Sequence, residues 1–335
     1  MPAEWEPHQF SAVAWPVKET MCFPENYPAV CAGYREIINV IADFEPVVVL
    51  INEPDDQSVP GSFQNKNISY LNIEHNDSWL RDNGPTVVID DQGNRAAVSW
   101  KFNAWGEKYK DWDLDDMVAR RLSESMGLPV VDAPFVLEGG SIHVDGQGSL
   151  LTTEECLLNP MRNPHLTKTD LEKHFKELLQ VSKCIWLKQG LYGDETDGHI
   201  DNIACFASPG IVLIQDCTDP DDPNYARTIE NIKILEHATD AAGRRLNIVK
   251  LPQPPAIEEF GKRLTLSYIN FYFVNGGLIL PVFKGGATQA DQQAEEVFRR
   301  LFPKRVLRKI DGMAIVREGG NVHCATQQFP AAKKI

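Results

Sequence analysis

The sequence predicts an α/β fold built from repeated hairpin, helix and strand modules that close on themselves like the blades of a propeller. Three observations point to it. Pairs of apolar runs separated by turn residues recur at intervals of about 60 residues. Stretches with helical spacing lie between them and mostly lead into a short β-rich run. One seven-residue pattern, Glu138-Gly-Gly-Ser-Ile-His143-Val144, returns as Glu318-Gly-Gly-Asn-Val-His323-Cys324, 180 residues later.

The elements follow in order. Hairpins are expected at 86–100 around DDQGN, 141–152 around DGQG, 203–215 around SPG and 269–283 around NGG, because turn residues there interrupt apolar runs. Helices are expected at 27–44, 114–126, 171–181, 225–241 and 289–302, where apolar side chains recur every three or four positions. The strands EPVVVLI, CIWLK, LNIVKL and RVLRKI are rich in β-branched and apolar residues, which predicts strands buried between other elements. Closing five such modules would bring the starts of all hairpins, and the polar motifs there, to one central place. LPQPPAI is too short for a linker, so 1–335 is expected to form a single domain.

Composition narrows the function classes. A chain of 335 residues, 43% hydrophobic and 24% charged, has the balance of a soluble globular protein and the length to bury a large core. A formal net charge of −14 disfavours nucleic acid and anionic membranes and suits a cationic partner. No apolar run approaches the roughly 20 residues of a bilayer span. The segment MPAEWEPHQF lacks the basic and apolar regions of a secretory signal, and seven cysteines without a CxxC pair fit reduced thiols; both point to the cytoplasm. The sequence is compatible with a homo-oligomer and does not fix one.

The chemistry-bearing residues cluster beside glycines: Asp77-Ser-Trp79-Leu-Arg81-Asp82-Asn-Gly-Pro, Glu138-Gly-Gly, Asp194-Glu-Thr-Asp197-Gly-His199-Ile-Asp201-Asn, and Arg317-Glu-Gly-Gly-Asn321-Val-His323-Cys324. Together they offer a thiol nucleophile, a histidine to shuttle protons and several carboxylates, an inventory that suits a planar cation. A guanidinium presents its N–H donors as a fork, so Asp82 and Asp201 can each hold it by paired charge-assisted hydrogen bonds and orient its carbon. That carbon is a poor electrophile, and Cys324 supplies the strong nucleophile it needs. His199 can protonate departing ammonia and then activate water, with Glu138 fixing its tautomer. Trp79 is expected to flank the substrate, and Asp194 and Asp197 to meet a second positive charge. The chemistry requires no metal and no organic cofactor.

The stretches MPAEWEPHQF, DSWLRDNGPT, EGGSIHVDGQGSLLTTEECLLNP, GDETDGHIDN and GGNVHCATQQFP resemble the agmatine deiminase (agmatine iminohydrolase) family and its bacterial-type peptidylarginine deiminase relatives, over essentially the whole chain. The resemblance implies a five-bladed pseudo-symmetric α/β-propeller (pentein) of the guanidino-group modifying superfamily. It implies Cys324 as nucleophile, roles for His199 and Asp201, Asp82 as a guanidinium-binding carboxylate and Glu138 as the acid supporting His199. The implied reaction is hydrolysis of agmatine to N-carbamoylputrescine and ammonia, or the same chemistry on peptidyl or free arginine. The chain departs from the family's usual pattern at Glu318, where a glycine is common, and at Ala12 and Val13.

Other readings stand beside this one. His143 and His323 are expected to be structural, since neighbouring strand positions face opposite ways. Asp77, Arg81 and Arg317 are expected to form a short Asp–Arg pair under a loop. Trp105, Tyr109 and Trp112 could be a lid over an aliphatic tail or rim packing. A zinc hydrolase would draw on His199, Asp201, His143 and His323, although their spacing matches no recognised zinc pattern. A non-enzymatic binding body is the remaining class.

Overall fold

The computed structural model describes residues 1–52, 59, 63–259, 261–283 and 288–332. The chain starts with β1 (His8–Ala14), crosses through a helix at Tyr27–Ala42 and returns as β2 (Val47–Ile51), with β3 (Ile68–Asn72) at its far side. Four hairpins follow, each ended by a third strand: β4 (Thr86–Ile89), β5 (Arg95–Lys101) and β6 (Val130–Val136); β7 (His143–Val144), β8 (Ser149–Thr153) and β9 (Lys183–Leu187); β10 (Ala204–Ser208), β11 (Ile211–Asp216) and β12 (Asn247–Pro252); and, past a small ribbon of β13 (Glu258–Glu259) and β14 (Lys262–Arg263), β15 (Tyr272–Val274), β16 (Gly277–Val282) and β17 (Val306–Asp311). The last strand, β18 (Thr326–Pro330), runs back to β1.

One pairing rule repeats. In each hairpin the first two strands are antiparallel and the second pairs parallel with the third: β4–β5–β6, β7–β8–β9, β10–β11–β12 and β15–β16–β17. The remaining sheet obeys it across the termini, with β18 antiparallel to β1 and β1 parallel to β2. A parallel pair needs a crossover, and a helix supplies it each time: Tyr27–Ala42, Asp113–Ser125, Lys168–Leu179, Asn224–His237 and Gln289–Leu301. Thr167 and Thr288 each cap a crossover helix with a reciprocal capping box, which satisfies backbone donors that would otherwise stay unpaired. No helix among the described residues is long and apolar enough to cross a membrane.

The four hairpins and five helices lie where the sequence patterns place them, within a few residues. The strand burial differs in part. Within EPVVVLI, Val47–Ile51 forms β2 and is buried along its whole length, because β3 covers its outer edge. CIWLK, LNIVKL and RVLRKI are instead the outermost strands of their sheets and are partly exposed; Val306 is 54% exposed. Their β-branched residues serve a half-covered pleat and not a doubly buried strand. The strands β8, β16 and β18 are, like β2, buried along their whole length.

The join between termini is packed as core. Phe10 on β1 stacks on Phe329 of β18 at 4.3 Å between ring centroids, and Phe329 is fully buried. Phe329→Ala should therefore cost about 3–5 kcal/mol of stability. Denaturant unfolding of the variant would show the loss as a lower midpoint at unchanged slope; an unshifted midpoint would mean that this seam carries no stability.

Candidate active site

The functional side chains sit on single turns of helix at the starts of the sheets. Leu80–Asn83, before β4, carries Asp82. Gly139–Ser141, before β7, follows Glu138, and Ile200–Asn202, before β10, follows His199 and carries Asp201. Val322–Ala325, before β18, carries His323 and Cys324. The remaining sheet, starting at β15, contributes Asn270, which sequence reasoning missed.

Three of the expected residues converge on one point. A Cβ built on Gly140 would lie 2.7 Å from His199 Nδ1, 2.8 Å from Asp82 Oδ1 and 2.9 Å from Asp201 Oδ2, so only glycine leaves that space free. Cys324 stands beside it, its Sγ 3.5 Å from Asp201 Oδ2. Asn270 Nδ2 donates to Cys324 Sγ at 3.0 Å, while Asn270 Oδ1 accepts the backbone N–H groups of His323 and Cys324. Asp201 Oδ1 and both ring nitrogens of His199 are buried without a hydrogen-bond partner among the described residues. Buried polar atoms left open in this way mark where a bound group has to complete the network.

His199 lies 3.7 Å from Glu138 Oε2 on one side and 3.7 Å from Asp82 Oδ1 on the other. Both contacts are longer than hydrogen bonds and act as charge–charge attraction. Burial opposes protonation of His199, but the Asp82 carboxylate, with Cys156 and Glu138, holds its pKa well above the usual value. Glu138 is further fixed by Arg162 Nε at 2.9 Å. Burial would raise the Glu138 pKa, yet Arg162 and His199 bring it down to about 2, so it stays anionic. Asp201 is likewise held below its usual range despite burial, by His323, whose Nδ1 lies 2.9 Å from Oδ2.

Several expectations need correction. Asp197 does not line the cavity: Arg162 and Lys108 hold its carboxylate at 2.5 and 2.7 Å, which leaves it no call for a substrate cation. Asp194 turns to Thr196 instead. Asp77, Arg81 and Arg317 form no Asp–Arg pair. Arg81 faces Glu4 at 3.5 Å and donates to the His323 carbonyl, Arg317 pairs with Glu259, and Asp77 takes the Ser78 N–H. His143 and His323 both lean on Glu4, beneath the site, as structural residues would. The four residues of the zinc reading do not gather; among the described residues the group with metal-suited spacing is Glu138, Cys156 and His199.

A partly open cavity exposes Cys324 and Asp82 and is walled by Trp79, Trp105 and Tyr109, while Trp112 lies outside it. Gly320 lets the Trp79 ring approach Cys324, since a Cβ there would sit 2.5 Å from the ring. Trp105 Nε1 donates to Asp82 Oδ2 at 2.8 Å. That bond is aimed by an unusual backbone: Ala104, Trp105, Gly106 and Glu107 all have positive φ (50°, 54°, 87° and 63°), a left-handed turn. Left-handed geometry costs roughly 1–2 kcal/mol per non-glycine residue. Asn103 helps hold the turn by accepting the Gly106 N–H and the Glu107 N–H. Further out, the wall carries Asp77, Glu195 and Glu318; burial, then Asp115, raises the Asp77 pKa well above normal.

Cys324 is buried. Burial first, then the charges of Asp201 and Asp82, push its thiol well above the ordinary pKa, against the hydrogen bond from Asn270. A raised thiol pKa means that the empty site keeps Cys324 protonated at neutral pH. Iodoacetamide labelling of Cys324, followed by peptide mass spectrometry across pH, should therefore be slow at neutrality and rise only above the ordinary thiol range of about 8.5. A plateau reached below that range would contradict the electrostatics described here. Gly140→Ala, which fills the point of convergence, should leave the thermal midpoint within a few degrees while abolishing ligand binding read by calorimetry.

The chain is similar to proteins of known sequence and structure. The agmatine deiminase of Pseudomonas aeruginosa is 41% identical over 362 aligned residues, covering 100% of this chain and 96% of its own. The solved agmatine deiminase of Enterococcus faecalis superposes with a TM-score of 0.94 at 34% identity, over 99% of this chain and 96% of that one. A DDAH of Pseudomonas aeruginosa shares the mixed α/β fold alone, with a TM-score of 0.52 at 12% identity over 96% of this chain and 100% of that one. The family model for Porphyromonas-type peptidyl-arginine deiminase matches residues 1–330, and the chain belongs to that family.

Proposed function

We propose that the chain hydrolyses agmatine to N-carbamoylputrescine and ammonia through a covalent amidino-cysteine intermediate, within a single five-bladed α/β-propeller domain. The observation that carries the substrate choice is the charge of the cavity. Asp82 lines it and Asp201 stands close to Cys324, while Glu318 and Glu195 lie along the wall, Glu195 paired with Lys262 at 2.7 Å; no arginine or lysine is among the described lining residues. A dication with an aliphatic spacer suits such a cavity, with Trp79 and Trp105 beside the spacer. The agmatine deiminase names of the relatives support the same reading.

The steps follow from the geometry. The guanidinium fills the point between Asp82, Asp201 and His199, and its positive charge offsets the two carboxylates that keep Cys324 protonated. The thiol pKa falls, its proton is lost to bulk water through the open cavity, and the thiolate, held by the Asn270 N–H, attacks the guanidinium carbon. His199 passes a proton to one nitrogen, the C–N bond breaks and ammonia leaves, with the amidine now bonded to sulfur. Water takes the place of ammonia, gives a proton to His199 and attacks the same carbon. The C–S bond breaks and the hydroxyl proton passes to the sulfur, releasing the ureido product and restoring the thiol. Seven free cysteines accord with a cytoplasmic setting for this chemistry.

Deimination of free or peptidyl arginine is the second reading, motivated by the family description. A free arginine would bring its carboxylate toward Glu318 and Glu195 with no arginine or lysine among the described lining residues to receive it. Ammonia release by metal-stripped protein should thus be robust with agmatine and weaker by at least about 10²-fold with arginine or an arginine peptide, as expected when a charged group goes unpaired. Faster turnover of arginine would overturn the substrate choice. Cys324→Ser should lose about 10³-fold or more in kcat.

The pH profile carries a sign. Burial raises Asp82 to a pKa of about 6, so its carboxylate is charged above that pH and neutral below it. kcat/KM for agmatine should therefore rise with pH through about 6, and fall again at higher pH as His199 loses its proton. A profile flat between pH 5 and 7 would exclude Asp82 as the group that holds the cation.

A further inference from the structure

We propose that Glu138, Cys156 and His199 form a binding site for a thiophilic divalent cation such as Zn²⁺, which withdraws His199 from the reaction and so switches the enzyme off. Cys156 is fully buried behind His199, on the short helix Glu154–Leu157, and has no part in the steps derived above. A carboxylate oxygen, a thiol sulfur and an imidazole nitrogen from the three residues all lie within 4.8 Å of one another. The His199 Nε2 to Glu138 Oε2 distance is 3.7 Å and the Cys156 Sγ to Glu138 Oε2 distance is 3.9 Å.

Tetrahedral zinc, with Zn–S near 2.3 Å and Zn–N and Zn–O near 2.0–2.1 Å, sets neighbouring ligand atoms roughly 3.3–3.6 Å apart. A closing movement of a few tenths of an ångström would bring these pairs to that spacing. The second observation is the state of His199: it is fully buried, yet neither ring nitrogen has a hydrogen-bond partner among the described residues. Nε2 is the nitrogen turned to Glu138. Arg162 occupies Glu138 Oε1 and leaves Oε2 for the ion. Mixed N, O and S donors favour zinc over magnesium or calcium, and the thiol gives up its proton as sulfur binds. Asp82, which lines the cavity, stands 3.7 Å from the imidazole.

The test is titration of chelator-stripped protein with Zn²⁺, and separately with Co²⁺. One metal per chain should bind, with a thiolate-to-cobalt absorption band, and agmatine turnover should fall at least tenfold and return on adding chelator. Cys156→Ala should lose the cobalt band and bind zinc at least 10-fold more weakly. If the band persists in Cys156→Ala and vanishes in Cys324→Ser, the nucleophile is the ligand and the proposal falls. Should Cys156→Ala fail to fold, anomalous diffraction from zinc-soaked wild-type crystals decides: density between Glu138, Cys156 and His199 supports the site, and its absence overturns it. The inhibition readout rests on the proposed reaction, whereas stoichiometry, cobalt spectrum and diffraction do not, so the two readings fail separately.

Discussion

Burial of negative charge around one thiol is the constraint on which the structure turns. Glu4, Asp82, Glu138 and Asp201 are all buried near Cys324. A carboxylate taken out of water is costly unless it is paired. Three of the four have their cation close: Arg81 and His323 at Glu4, Arg162 at Glu138, and His323 at Asp201. Asp82 has only His199, at 3.7 Å, and Asp201 keeps one oxygen without a partner. The deficit is therefore concentrated beside Cys324, where, in the proposed reaction, a bound cation would both relieve it and lower the thiol pKa. Without that cation the same charge keeps Cys324 protonated.

The fold delivers this arrangement by repetition. The segment before the first strand of each three-stranded sheet, and before β18, contributes one or two polar side chains: Asp82, Glu138, His199 with Asp201, Asn270, and His323 with Cys324. No single segment contains the site, so its geometry depends on all five sheets keeping their register, including the β1–β18 seam that joins the two ends of the described chain. Local strain is concentrated in the left-handed turn at residues 104–107, where it points Trp105 at Asp82. Strain held at a binding wall is stable only when its surroundings over-determine it, and here Asn103 and the Asp82 hydrogen bond do so.

Much of this was legible in the chain. Turn residues between apolar runs located the hairpins, and helical spacing located the crossovers, because both patterns are set by short-range geometry. The repeated Glu-Gly-Gly and the Asp-Gly-His-Ile-Asp segment marked residues that the structure brings together around Gly140 and Cys324. What stayed hidden were partners chosen by the tertiary fold. Asn270 sits in the unremarkable run Ser-Tyr-Ile-Asn-Phe, and only its place before β15, in step with Asp82 before β4, could have revealed it. Glu4 and Arg162 lie far in sequence from the residues they neutralise. Asp197 reads as a site acid until Arg162 and Lys108 are seen on it. Apolar content also could not separate β2, covered by β3, from the edge strands β9, β12 and β17.

The central claim is that a cation held by Asp82 and Asp201 converts a protonated Cys324 into the nucleophile that bonds to the guanidinium carbon. Acid quenching of the protein during turnover of agmatine, followed by intact-mass measurement and peptide mapping, tests it most directly. The account predicts an amidine adduct on the peptide that contains Cys324 and on no other cysteine peptide. Turnover with no adduct at any quench time, or an adduct on Cys22 or Cys156 in its place, would contradict it.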